Sequence, residues 1–324
     1  MSFDFDAGVQ LPHRMQPGLR RLAAGALQLT PAVVPNRGVA RHLREKLAVL
    51  GAFRDQALLS TAGFDAGPAL RALAAQAVAE HPQALQIDGD NWRAPWLGWA
   101  LDGDDQPHDI GSSWPEIGSL LHEMPRHWRR SALLSLAFAE DFAVLDATTG
   151  TLPWLAVALP SMWAPELKIG RSFAEVHAPV ADNRLIVGAA APLMTLVTGT
   201  EKWQRFVWTL TAHPRLHGHP QRVDPARWAP GLDDDQLAAQ TWWRTERQTF
   251  IPVPAEAGAA RQAVFTILVQ VTPLTQAFET PAQAARVHDA LASMSAAVLA
   301  YRGLAEASPA LLRWLARQAA GDVA

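Results

Sequence analysis

The sequence predicts an α+β fold: a five-stranded antiparallel sheet with helices packed around it and a helical extension on its N-terminal side. Three observations predict it. Two strand-like segments near the middle of the chain, Phe142 to Thr148 and Leu152 to Leu159, are joined by a Thr149-Gly150 turn. Three more follow a broken helical stretch: Arg205 to Thr211, Thr241 to Ile251 and Ala263 to Thr272. The composition is that of a globular chain, with 324 residues, 49% hydrophobic and 18% charged, enough to bury a core without staples.

Composition also excludes chemistry. The chain has no cysteine, 13 Trp, 11 His and one Tyr. A disulfide framework, a catalytic thiol, a thiolate zinc site, a Cys-held iron–sulfur cluster and a Cys haem ligand are all ruled out within it. With 28 Lys+Arg against 31 Asp+Glu, it carries no basic nucleic-acid footprint. No apolar run reaches the roughly 18 residues of a membrane span. The N-terminus is acidic and lacks a basic-then-apolar signal, so the expected location is cytoplasmic.

The elements follow in order. Residues 7–38, with Pro12, Pro17, Gly18, Pro31, Pro35 and Gly38, read as an irregular arm. Arg41 to Leu50 and Pro68 to Glu80 have apolar residues at three-to-four spacing and read as helices. Residues 88–112 read as a loop or short strands rich in Trp92, Trp96 and Trp99. Ser113 caps a helix with Pro115 and Glu116 in its first turn. The helical stretch 161–200 is broken by Gly170, Pro179, Pro192 and the small-residue run Gly188 to Ala191. Loops at 214–235 and 252–260 separate the last three strands, and helices at 281–301 and 307–319 close the chain. Two strands, short helices, then three strands is the chain order of a PAS-type domain, whose sheet and helices enclose a ligand pocket. The expected division is an arm and helical extension over 1–130, a PAS-like domain over 131–303 and a C-terminal helix over 304–324.

Three segments can carry chemistry. In Lys168-Ile169-Gly170-Arg171-Ser172-Phe173-Ala174-Glu175-Val176-His177-Ala178-Pro179, Ser172 caps a short helix that ends near His177. His177 then reads either as a structural histidine satisfied by hydrogen bonds or as a haem-iron ligand, with Lys168 and Arg171 offering charge to propionates. In Thr241 to Thr249, alternation sends Trp242, Arg244, Glu246 and Gln248 to one face and Trp243, Thr245, Arg247 and Thr249 to the other. Such a strand lines a polar pocket or presents a solvated charged face. His213, His217 and His219 have metal-like spacing but read as exposed loop histidines. Asp102, Asp104 and Asp105 read as a solvated turn, since they lack the spacing of a calcium loop. There is no GxGxxG, Walker loop or GxSxG elbow.

Over about residues 140–303 the chain resembles the alpha subunit of haem-dependent oxidative N-demethylase and its relatives. The residues that carry the resemblance are Glu140-Asp141-Phe142, Pro160-Ser161-Met162-Trp163, Lys168-Ile169-Gly170-Arg171, Val176-His177-Ala178-Pro179-Val180, Arg244-Thr245-Glu246-Arg247-Gln248-Thr249, Phe265-Thr266-Ile267 and Tyr301-Arg302-Gly303. The resemblance implies a haem-binding PAS domain that oxidises a small secondary amine such as dimethylamine with O₂. Electrons would come from NADPH through flavin and an iron–sulfur cluster on a separate reductase subunit. It implies His177 as axial ligand of haem b, with Lys168, Arg171 and Trp163 beside the cofactor. Arg244, Glu246, Arg247 and Gln248 would form the oxygen- and amine-binding site. The sequence departs from the family pattern at Val207, where the family has Asn, and at Leu268-Val269-Gln270, where it has Arg-Thr-Tyr. Those losses keep open a non-catalytic haem sensor or an inactive paralogue.

Overall fold

A long central hairpin sets the architecture, and the rest of the chain is laid over its two faces. The computed structural model describes residues 3–36, 41–112, 114–223, 227–254 and 261–321. The arm contributes helix α1 (Phe5–Gly8) and strand β1 (Arg20–Arg21). Helices α2 (Arg41–Ala57) and α3 (Gly67–Glu80) flank β2 (Leu58–Ser60). Four short strands follow: β3 (Gln86–Asp88), β4 (Asn91–Ala94), β5 (Trp99–Leu101) and β6 (Pro107–Asp109). Helices α4 (Pro115–Glu123) and α5 (Arg129–Ala137) lead to the hairpin β7 (Asp141–Asp146) and β8 (Thr151–Ala156). Three short helices, α6 (Phe173–His177), α7 (Arg184–Gly188) and α8 (Ala190–Val197), precede β9 (Trp203–Thr211). After α9 (Asp234–Ala239) come the long strands β10 (Trp242–Val253) and β11 (Gln262–Pro273). Helices α10 (Pro281–Ala292), α11 (Ala296–Tyr301) and α12 (Ser308–Ala320) end the chain.

The main sheet is antiparallel throughout and has seven strands, not five, in the order β1-β9-β10-β11-β7-β8-β2. The five expected strands are its central five. Short strands from the N-terminal region are added to both edges, pairing Arg20 with Gln204 and Leu58 with Ala156. They cover part of each exposed edge. Pieces of two or three residues carry no periodic signal, so the sequence did not reveal them. The Trp-rich segment forms a second, four-stranded antiparallel sheet, β3-β4-β5-β6. Helix α5 has no solvated face, with Ser131 to Ala137 all buried, and amphipathic periodicity is therefore missing. The helical segment 281–301 divides at Ser293, and Ser295 caps the second part. The Ser113 cap, Gly38 and the end of the 252–260 turn lie outside the described residues.

One face of the sheet is closed by the arm. Arg247 Nη2 donates to Leu27 O at 2.6 Å, and Gln28 Nε2 donates to Thr249 Oγ1 at 3.1 Å. Thr249 and Thr266 share a hydroxyl hydrogen bond at 2.7 Å. Glu80 of α3 accepts the backbone N–H groups of Gln28 and Leu29, both at 2.8 Å. The arm's Thr30 N–H donates to Glu140 Oε2 at 2.9 Å, just before β7.

Beneath the arm lies a buried charge network. Lys46 of α2 is fully buried. Its ammonium sits 3.3 Å from Asp141 Oδ1 and donates to Glu140 O at 2.5 Å and Phe138 O at 3.1 Å. Asp141 Oδ2 accepts the Leu159 N–H at 2.6 Å, which binds the end of the second hairpin strand to the start of the first. Burial pushes the Glu140 carboxyl up to about 7, against its hydrogen bond from Thr30 and the charge of Lys46.

That shift has a defined sign. A carboxyl whose folded pKa lies above its unfolded value of 4.5 gives stability that is full below pH 4.5 and is lost as pH rises toward about 7. Relative to Glu140→Gln, the wild type is expected to lose stability across that window. Urea titrations at several pH values check this, and parallel profiles for the two proteins would refute the shift.

Candidate functional site

The opposite face of the sheet carries the candidate site. Strand parity puts Arg244, Glu246, Gln248 and Phe250 of β10 on this face, and the register adds Arg205 and Val207 of β9 with Ile267 and Val269 of β11. Phe250, Ala263, Leu145, Leu155 and Val157 form a cluster there with Met194 and Val197 of α8, and Phe173 and Val176 of α6 pack against it.

Helix α6 forms as the sequence predicts. Ser172 Oγ accepts the Glu175 N–H at 3.3 Å, and the Glu175 carboxylate accepts the Ser172 N–H at 2.8 Å, a reciprocal capping box. His177 ends the helix. Its Nδ1 donates to Phe173 O at 2.8 Å, and the ring rests on Phe173 with centroids 4.2 Å apart. Asn183 Nδ2 donates to His177 O at 3.1 Å and holds the following turn. Burial lowers the His177 pKa to about 4; the Phe173 hydrogen bond opposes this, and the charges of Arg205 and Lys168 add to it. The ring is therefore neutral near pH 7, with its proton fixed on Nδ1. Nε2 makes no hydrogen bond among the described residues.

On the strands, Gln248 Nε2 donates to Glu246 Oε2 at 2.6 Å. Cross-strand partners Val207 and Val269 flank Glu246 on its two sides. Arg205 lies opposite Gln248, and Glu246 is the negative charge that supports it. Arg205 Nε and Trp203 Nε1 are buried without a hydrogen-bond partner among the described residues. The single tyrosine, Tyr301, is within electrostatic reach of Glu246, though burial is the larger cause of its raised pKa.

The other predicted residues have different surroundings. Arg244 is on the site face but its guanidinium is consumed by the fold. It donates to Ser161 Oγ at 2.8 Å, Leu216 O at 2.8 Å, Arg215 O at 3.0 Å and Pro160 O at 3.2 Å. Arg247 is on the far face, bound to the arm. Arg171 is exposed and pairs with Glu175 at 3.5 Å. Lys168 Nζ donates to Val176 O at 2.7 Å and so caps the end of α6. Trp163 is half-buried between the main core and the site-face cluster. Sequence reasoning missed Arg205, whose placement beside Gln248 depends on strand register.

The histidines of the 214–219 loop are not exposed as expected. His219 is buried, and its Nε2 donates to Glu166 at 3.1 Å while its Nδ1 accepts the Gln221 N–H at 3.2 Å. His217 Nδ1 donates to Ala158 O at 2.7 Å, and the two rings stack 6.1 Å apart. The Arg244 clamp holds this loop against Pro160, with His219 buried and His217 half-buried. No group of three metal-ligating side chains occurs among the described residues. The Asp102 turn is polar as expected, with Asp102 2.8 Å from His108 and Asp105 2.5 Å from Arg130.

A family model described as haem-dependent oxidative N-demethylase, alpha subunit-like, matches residues 122–312. The chain belongs to this family. The match spans α6 and the central five strands, whereas the arm lies outside it. The family name carries haem dependence and a subunit of a larger assembly. The residues present fit such a group. A neutral histidine offers an unclaimed Nε2 lone pair, which is the ligating form of imidazole. The cover formed by α6, α7 and α8 is apolar yet buries few side chains: none in α6, Ile186 in α7, Met194 and Val197 in α8. Leu167, Leu185 and Leu196 stay exposed around it. Apolar surface left uncovered in this way suits a flat hydrophobic ring.

Removal of the Arg244 clamp leaves several buried carbonyls without a donor. Arg244→Ala is expected to cost about 3 kcal/mol of stability in urea unfolding. A loss under about 1 kcal/mol would show that the clamp is not structural.

Proposed function

We propose that this chain is a haem b-binding, PAS-type oxygenase subunit that acts on a small secondary amine with O₂. The observation that carries the proposal is the meeting of His177 and the Glu246–Gln248–Arg205 group on one sheet face under a thinly packed helical cover. The central strand order β9-β10-β11-β7-β8, with short helices between its two hairpins, supports the PAS-type reading. In this reading residues 131–303 form the haem-binding domain, after the arm and helical extension and before the C-terminal helix.

His177 would hold the iron through Nε2, with Nδ1–H on the Phe173 carbonyl fixing the ring. Haem supplies oxygen binding and electron transfer when bound. Glu246 would accept a hydrogen bond from the substrate ammonium, and Gln248 keeps its carboxylate oriented. Val207 and Val269 flank that carboxylate with apolar side chains, which would strengthen its attraction for a cation. Arg244 is a positioning residue that shapes the wall through Pro160 and Ser161. The chain has no cysteine to hold an iron–sulfur cluster, so that centre would belong to a separate reductase subunit, which by the family resemblance would also carry the flavin; the expected setting is cytoplasmic. Leu268 and Gln270 pair with Arg247 and Thr245 on the far face. Those two departures from the family's Arg and Tyr therefore lie off the proposed amine site, whereas Val207, opposite Glu246, lies on it and keeps a non-catalytic sensor or inactive paralogue as the alternative.

Two outcomes are expected. His177→Ala should weaken haem binding by about ten-fold or more in a Soret titration; unchanged affinity and ligation would remove His177 as ligand. Glu246→Gln should raise KM for dimethylamine by about ten-fold, and unaltered kinetics would remove Glu246 from the site.

A further inference from the structure

A cavity of about 70 Å³ opens at the edge of β9, between that strand, the N-terminal arm and the end of α11. Arg205, Arg302, Arg14, His13, Val207 and Trp208 are among its walls, and no carboxylate is among the described lining residues. Strand β1 covers only Trp203 and Gln204 of this edge, which leaves the rest of β9 to the cavity.

The two inner arginines are poorly compensated. Arg302 Nη1 donates to Trp208 O at 2.8 Å, its guanidinium lies 5.5 Å from the Trp208 ring, and its Nη2 reaches only the Met15 sulfur at 3.8 Å. Arg205 has its buried Nε unpartnered, and its nearest negative charge, Glu246, already accepts from Gln248. Neither arginine joins an ion pair among the described residues. Burial pushes both guanidinium pKa values down, that of Arg302 to about 10. A half-buried cation with no ion-pair partner is costly, and a carboxylate that accepts from both forks lowers that cost. His13, held neutral by a pKa lowered to about 4, adds a hydrogen-bonding group without competing charge. The volume suits a carboxylate with a water, at roughly 30 Å³ per water.

We propose that this cavity is a carboxylate-binding site with Arg205 and Arg302 as its cationic walls and the N-terminal arm as its cover. Val207 lines it and is the cross-strand partner of Glu246, so the carboxylate lies beside the amine site. Two sources share this chemistry: the acid group of an N-methyl amino acid and a propionate of the cofactor. Only the assignment of source rests on the function proposed above.

The test uses the full chain with two matched pairs of probes. N-methylglycine is compared with N-methylglycinamide by thermal shift and tryptophan fluorescence, and haem is compared with its dimethyl ester by Soret titration. In at least one pair the acid form should bind about ten-fold more tightly, and Arg302→Gln and Arg205→Gln should each collapse the difference. Preference within the first pair assigns a free carboxylate, and preference within the haem pair alone assigns the propionate. No preference in either pair for the wild type overturns the proposal, whether or not the variants fold. Preference that survives both substitutions also overturns it. If haem binds but neither pair shows a preference, this site fails while the haem reading stands. If N-methylglycine binds selectively and haem does not bind, the carboxylate site stands while the haem reading fails.

Discussion

The buried ammonium of Lys46 is the constraint on which the rest of the sheet depends. A lysine with no solvent contact must have its charge and its donors met inside the protein. Asp141 and the carbonyls of Phe138 and Glu140 meet them, and each belongs to the entry into the first long hairpin. Asp141 also takes the Leu159 N–H, so helix α2 and both strands of that hairpin share one anchor. Glu140 turns the other way and receives the arm through Thr30. The family-like Glu140-Asp141-Phe142 segment is thus a structural junction, and the arm it secures closes one face of the sheet. The proposed site lies on the other.

How much of this was legible depends on the range of the interaction. The helix ending in His177 could be read because its signal is local: Ser172 and Glu175 form a capping box three residues apart. The alternation of β10 was legible for the same reason. Arginine roles were not. Arg244 and Arg247 look alike in sequence, yet one clamps the loop at Leu216 and the other holds the arm at Leu27. Arg205 gives no local sign at all, since its importance comes from the register that sets it opposite Gln248. The buried His219 and half-buried His217 were misread because a clamp from a distant strand holds their loop against the protein. Edge strands of two or three residues escape detection because they are stabilised wholly by the partner they meet.

The segment α6 to α8 is where local and global preference disagree. Its residues from Leu185 to Val197 are mostly apolar, yet only Ile186, Met194 and Val197 are buried. Elsewhere in the chain apolar helices are well covered, as α5 is. Such local exceptions concentrate at functional sites, where the sequence is fitted to something besides its own packing.

The contacts that close the β9 edge join the two extremities of the chain. His13 N–H donates to Ser293 Oγ at 2.8 Å, and Arg286 Nε donates to Val9 O at 2.6 Å. They span sequence separations of 280 and 277 residues. Contacts so distant in sequence carry the greatest loop-closure entropy and contribute to slow folding. During synthesis, Val9 and His13 of the arm reach these partners only after Arg286 and Ser293 have emerged. The cavity beside β9 is therefore completed only once α10 and α11 have emerged, and a nascent chain stalled before α10 keeps that edge open to solvent.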